Sequence, residues 1–177
     1  QPIDNYRVEA ARANYPRIRE FKVARATSDT RLAEVNGAWK VCNPESVLDF
    51  SAVGYFFAYE LFQAIDIPVG IIHTTLGGTP VQAWTSHEVH ARYFPETLAG
   101  QIKEIETYPA RLAAYQAAEP SLLEEWREAY LAAEQTGKKK PKRPRPPGNP
   151  AISKNRPAAL FNGMIHPLIP YAFKGVI

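Results

Sequence analysis

One cysteine, Cys42, stands among 177 residues. That scarcity excludes an intrachain disulfide and a cysteine-based zinc site. A lone cysteine reads as a small buried hydrophobe. No apolar run approaches the roughly 20 residues that span a bilayer. No signal-peptide pattern is visible, and the chain opens on Gln1 and not on methionine, which leaves a removed leader open. No Gly-x-Ser-x-Gly elbow, Walker loop or Gly-x-Gly-x-x-Gly occurs. None of the serines shows a spacing that supplies a base and a group to orient it. Neither sign of charge dominates, because the net charge is only +3. Even that is local: Lys138, Lys139, Lys140, Lys142, Arg143 and Arg145 fall within one short stretch, and without these six the balance is −3. Basicity so confined describes a loop and not a nucleic-acid-binding domain.

What is present suffices for one domain with a sizeable core, since 45% of the residues are hydrophobic. Arg7 to Ala13 reads as a short helix or polar turn. Arg17-Ile18-Arg19-Glu20-Phe21-Lys22-Val23 alternates imperfectly and reads as a strand. Phe21 and Val23 share one of its faces, and Ile18 falls on the other with Glu20 and Lys22. Residues 27–49 are polar with scattered anchors (Trp39, Val41, Val47) and read as a long surface excursion. Ser51 to Ile65 is apolar at helical spacing, with Val53, Phe56, Phe57, Leu61 and Ile65 as the expected core stripe and Asp49 or Ser51 as N-cap. Asp66-Ile67-Pro68 ends that helix and leads into Val69 to Leu76, expected to be a buried parallel strand.

That strand breaks into Gly77-Gly78-Thr79-Pro80. Ligands of open α/β sheets bind beyond the carboxyl ends of parallel strands. Two adjacent glycines leave backbone N–H groups uncovered, able to hold an anion or a developing oxyanion. A plain strand-to-loop turn accounts for the same pair, and on spacing alone it is the favoured reading.

Residues 87–135 read as an amphipathic helical hairpin with Glu119-Pro120-Ser121 as its turn and Tyr108-Pro109 as a break or kink. The glutamates of its second half fit a solvated helix face better than a paired-carboxylate site. Residues 137–150 read as an extended, mobile linker. Residues 157–168 regain apolar character around an Asn162-Gly163 turn or cap, and Lys174-Gly175-Val176-Ile177 looks like a strand. The 87–135 block and its basic tail look like an insertion. Of the four histidines, His87 and His90 lie three apart without a third metal ligand, and His73 and His166 read as hydrogen-bonded core residues. No metal and no cofactor are expected.

Six blocks in order then resemble one family: Asn14-Tyr15-Pro16-Arg17-Ile18-Arg19, Phe50 to Phe57, Pro68 to Ile72, Gly77 to Ser86, Phe161 to Leu168, and Tyr171 to Ile177. Together they resemble the sialate O-acetylesterases, within the SGNH-hydrolase superfamily. The resemblance runs from near Gln1 to Ile177 apart from the helical, basic, proline-rich insertion at about 95–150. It implies an α/β fold, part of a three-layer parallel sheet, over 1–177. It implies removal of O-acetyl groups from sugars by a Ser-His-Asp mechanism. The family's Gly-Gln-Ser-Asn nucleophile segment, its Trp-Tyr-Gln-Gly-Glu-Ser-Asn segment and its Asp-x-x-His pair have no match here. The isolated chain is therefore expected to be inactive, with an O-acetylated sugar as substrate of the whole. A second chain carrying the missing blocks is a conceivable partner; nucleic acid and membrane are not expected. The resemblance also implies that Gly77 and Gly78, Gly78 preferred, supply an oxyanion hole, and that Thr79, Trp84 and Asn162 line the sugar pocket. The sequence leaves the location open, and the resemblance alone favours a secreted or periplasmic one. The alternative is a non-catalytic module that holds an acidic partner on residues 137–150, with affinity that collapses in salt.

Overall fold

In a computed structural model, residues 4–177 are described, so Gln1 lies outside the described residues. The chain divides into two compact units, one formed by Gln1–Trp84 with Ala158–Ile177 and the other by Thr85–Pro157.

The first unit is built on a three-stranded sheet in the order β2-β1-β3. After helix α1 (Tyr6–Arg12) comes β1 (Tyr15–Lys22), then β2 (Trp39–Cys42), helix α2 (Ala52–Ile65) and β3 (Val69–His73). β1 pairs with β3 in parallel, Ile18 opposite Val69 and Lys22 opposite His73. β2 runs antiparallel on the other side, Phe21 opposite Trp39, with an irregularity between Tyr15 and Arg19. The fold is thus mixed α/β with a small mixed sheet. β3 is parallel as expected, but it is a half-buried edge strand and not a buried one.

β2 lies inside the stretch read as a surface excursion. Four residues are too few to show alternation. The strand is fixed by long-range contact, with the Trp39 ring 5.5 Å from that of Phe21. The rest of the excursion is tied down as well: Ser28 N–H donates to Ala159 O and Leu32 N–H to Asn162 O.

Strand alternation puts a core on each face of the sheet. Ile18, Cys42, Tyr55 and Ala58 form one cluster, with Val69 and Ile71 packed on it. Val23, Ala83, Leu160, Met164 and Leu168 form the other, with Phe21, Ile72 and Trp84 packed on it. Ile18 is fully buried, so truncation to alanine there would cost about 2–5 kcal/mol.

Ser51 caps α2 by accepting the Gly54 N–H, as its side chain is suited to do. The core stripe expected of α2 is displaced. Gly54, Tyr55 and Ala58 are the buried residues, while Val53 is 75% exposed and Phe57 and Ile65 are close to half exposed. The reason is close approach: a Cβ on Gly54 would sit 3.4 Å from Ile71 Cγ2. Gly54 and Ala58 let the helix come close to the sheet, with Tyr55 buried beside them and Phe56, Tyr59 and Phe62 packed partly buried on the same cluster.

Residues 161–165 form one π-helical turn, followed by a 3-10 turn over 166–168. A Cβ on Gly163 would lie 2.5 Å from Ala26 O, so this turn fits only without a side chain. The closing Lys174–Ile177 segment has no regular structure, and Val176 is 92% exposed. The strand expected there does not form.

The second unit contains α3 (His87–Tyr93) and one continuous 41-residue helix, α4 (Pro95–Gln135). No hairpin forms. Pro109 and Pro120 lie inside α4; they remove hydrogen bonds but do not reverse the chain, and the Ala, Leu, Glu and Arg around them favour helix. The basic segment beyond is extended but not loose. Trp126 Nε1 donates to Pro141 O at 3.1 Å, Lys140 Nζ bonds Glu134 and Tyr130, and Gln101 Nε2 donates to Pro150 O. The segment runs back along α4 and is held there by these side chains.

Candidate functional site

β3 ends at His73, and the chain crosses Thr74-Thr75-Leu76 into the glycine pair. Gly78 has φ +69°, a conformation that an L side chain adopts only with strain. Neither glycine would meet any atom with an added Cβ. Among the described residues no protein acceptor takes the Gly77 or Gly78 N–H. The turn is braced from behind: Thr79 Oγ1 donates to Leu76 O at 2.6 Å, and Trp84 Nε1 donates to Thr79 Oγ1 at 2.9 Å. Trp84 is itself seated on the Leu160–Met164 cluster. Gly77, Gly78, Thr79 and Trp84 therefore form one braced loop.

Asn162 has a different setting. It is buried, and its Nδ2 donates to Ser28 O and Asp29 O. Its amide hydrogens are spent on fastening the 28–32 loop. His166 acts similarly, with Nδ1 3.1 Å from Leu32 O. His87 is exposed whereas His90 is buried, so the two do not present one face. Among the described residues no group of three or more His, Cys, Asp or Glu could hold a metal.

A second constellation was not legible in the sequence. Glu20, in the middle of β1, is 2% exposed. Its Oε1 accepts the Ser51 N–H at 2.9 Å and lies 3.3 Å from His73 Nδ1. His73 Nε2 in turn lies 2.8 Å from Thr75 Oγ1. The one available signal was an acidic residue sharing a strand face with Ile18. His73 and Thr75 open into a cavity of about 500 Å³ that is also lined by Lys22, Arg25 and Lys40. Since β1 and β3 both finish at Lys22 and His73, the cavity sits at the carboxyl ends of the parallel pair, where α/β sheets take ligands. Asp49 borders it. A hydrogen bond from Lys40, and then the nearby Lys22 charge, hold the Asp49 carboxyl below its ordinary range. A separate concavity of about 390 Å³ at the opposite strand ends is lined by Arg17, Trp39 and Gly70 and holds none of these residues.

No family model matches the sequence. A curated relative does: the sialate O-acetylesterase of Rattus norvegicus, 25% identical over 174 residues, covering 93% of this chain and 29% of the relative. Among solved structures, a carbohydrate acetylesterase from Xanthomonas citri superposes with a TM-score of 0.59 at 26% identity, covering 97% of this chain and 26% of that one. The chain spans under a third of the length of each. No helix among the described residues is long and apolar enough to cross a membrane. Sequence and fold together relate this chain to the sialate O-acetylesterase family of carbohydrate acetylesterases, of which it matches one part.

Proposed function

We propose that this chain is the part of a carbohydrate O-acetylesterase, of the sialate type, that supplies the oxyanion hole. The observation that carries the reading is the Gly77-Gly78 pair: two backbone N–H groups without protein acceptors, at the carboxyl end of a parallel strand, in a chain similar to acetylesterases. A serine outside these 177 residues attacks the acetyl carbonyl. A histidine held by an aspartate takes its proton, and water releases acetate. The Gly78 N–H, with Gly77 beside it, stabilises the negative oxygen of the tetrahedral adduct. Thr79 and Trp84 fix the loop through the Trp84–Thr79–Leu76 hydrogen bonds, and Trp84 borders the sugar. Asn162 supports the pocket indirectly, by holding residues 28–32. The matching region of an O-acetylated sugar binds against this loop. The whole is a carboxylic ester hydrolase with a three-layer SGNH-like sheet, and this chain contributes a piece of it.

The experiment has two arms. The purified 177-residue chain should show no saturable turnover of an aryl acetate. In the full-length protein, Gly78→Ala keeps the N–H but strains the φ +69° backbone that aims it, and should lower kcat on an O-acetylated sugar toward the about 10²–10³-fold that loss of one oxyanion donor costs, while KM moves little. Saturable turnover by the isolated chain, or an unchanged kcat in Gly78→Ala, overturns the assignment.

A further inference from the structure

The Glu20–His73–Thr75 chain is a hydroxyl, a base and an orienting carboxylate in the order that nucleophilic catalysis uses. Glu20 is held by the Ser51 N–H in an almost water-free position, so it is fixed without further ordering. Its Oε1 lies 3.3 Å from His73 Nδ1, within ion-pair reach but without hydrogen-bond geometry, a loose approach of the kind common before substrate tightens a site. With the carboxylate on that side, the ring proton belongs on Nδ1, and Nε2 is left to accept the Thr75 hydroxyl proton across 2.8 Å. Thr75 itself is exposed and lines the same cavity as Lys22, Arg25 and Lys40. Cationic side chains around a reacting carbonyl stabilise the oxygen that becomes negative.

We propose that Thr75 is an acyl acceptor, taking an acetyl group from an activated ester through His73 as base, with Glu20 as a positioning residue. In the forward step Thr75 Oγ1 bonds to the ester carbonyl carbon, and its proton passes to His73 Nε2. The adduct collapses with cleavage of the carbon–oxygen bond to the leaving group. That group departs with the proton from His73, leaving O-acetyl-Thr75. The proposed reaction ends at this ester. It is thus a single transfer onto this chain, separate from the turnover assigned to the serine of the whole esterase.

The test uses the full 177-residue chain with p-nitrophenyl acetate, followed by intact mass and peptide mapping. The expected result is one acetyl group, on Thr75, and one equivalent of p-nitrophenol released. Thr75→Val, which keeps the shape of an exposed side chain, should remove the label, and Thr75→Ser should keep it. His73→Gln should slow labelling about 100-fold or more. Glu20→Gln should slow it roughly 10-fold or more with the melting temperature unchanged, a result that a purely structural carboxylate would not give. Label confined to lysines, or a labelling rate equal in wild type and Thr75→Val, overturns the proposal. Neither outcome touches the Gly77-Gly78 reading, which is measured by turnover in the full-length protein.

Discussion

Two glycines in the first unit make opposite demands, and a methyl group distinguishes them. Gly163 sits against the Ala26 carbonyl, where a Cβ would be only 2.5 Å away. Backbone cannot swing aside as a side chain can, so Gly163→Ala should cost about 1–3 kcal/mol of stability. Gly77 meets nothing within 4 Å and has no positive φ, so Gly77→Ala should unfold within roughly 0.5 kcal/mol of wild type. Denaturant titration of the two variants side by side checks both, and equal losses would refute the packing argument. Tyr55 supplies a pH prediction. Burial, aided by Cys42 and Tyr15 nearby, pushes its phenol up to about 12, from an ordinary value of about 10. The folded state therefore prefers the neutral phenol. Its contribution, about 2–3 kcal/mol from a shift of this size, is fully present below about pH 10 and is lost as pH rises through about 12. Tyr55→Phe should flatten the alkaline limb of the stability curve, and an unaltered limb would discount the burial effect. Burial likewise raises the Cys42 thiol, in keeping with a free cysteine that packs and does not react.

At the scale of elements, α4 is the least expected feature. It carries Pro109 and Pro120 in its interior and still runs unbroken for 41 residues. Each proline forgoes one helical hydrogen bond and crowds the preceding turn. Ser121 Oγ donates to Ala118 O close by. Both prolines are exposed, so replacement changes little packing. Pro120→Ala should raise the thermal midpoint, with a gain of up to about 3 kcal/mol from helix propensity. A lowered midpoint would mean that the proline fits a bend the helix needs. The extended basic segment is a second lesson at this scale. Lys140 is paired with Glu134 at 2.6 Å, and Arg143 lies over the Trp126 ring. These charges are partly answered by the helix beside them, which leaves little reason to assign the segment an acidic macromolecular partner.

For the molecule as a whole, the chain leaves the first unit after Trp84 and re-enters it at Ala158. The Ala158 N–H donates to Gln82 O at 3.0 Å. The points of exit and return are therefore neighbours, as at sites that tolerate inserted domains. Replacing residues 85–157 with a short Gly/Ser loop should leave the first unit folded, with the Gln82–Ala158 hydrogen bond protected from amide exchange. A collapsed amide spectrum from the shortened protein would show that the second unit is required. The same test defines the insertion, which sequence alone placed at about 95–150.

Local chemistry was written plainly in the sequence. Ser51 before an apolar helical run, Pro68 before a β-branched run, and adjacent glycines after it determined α2, β3 and the exposed turn, because caps, propensities and glycine freedom act over a few residues. The order of the six blocks also determined the family relationship. Only tertiary structure decided which face of α2 is buried, since the choice depends on how closely Gly54 can approach Ile71 and not on the helix's own periodicity. Only tertiary structure made β2 a strand, for its partner lies some twenty residues away on β1. And it alone joined Glu20, His73 and Thr75: parallel pairing of β1 with β3 sets side by side two strands whose separation along the chain no local pattern records.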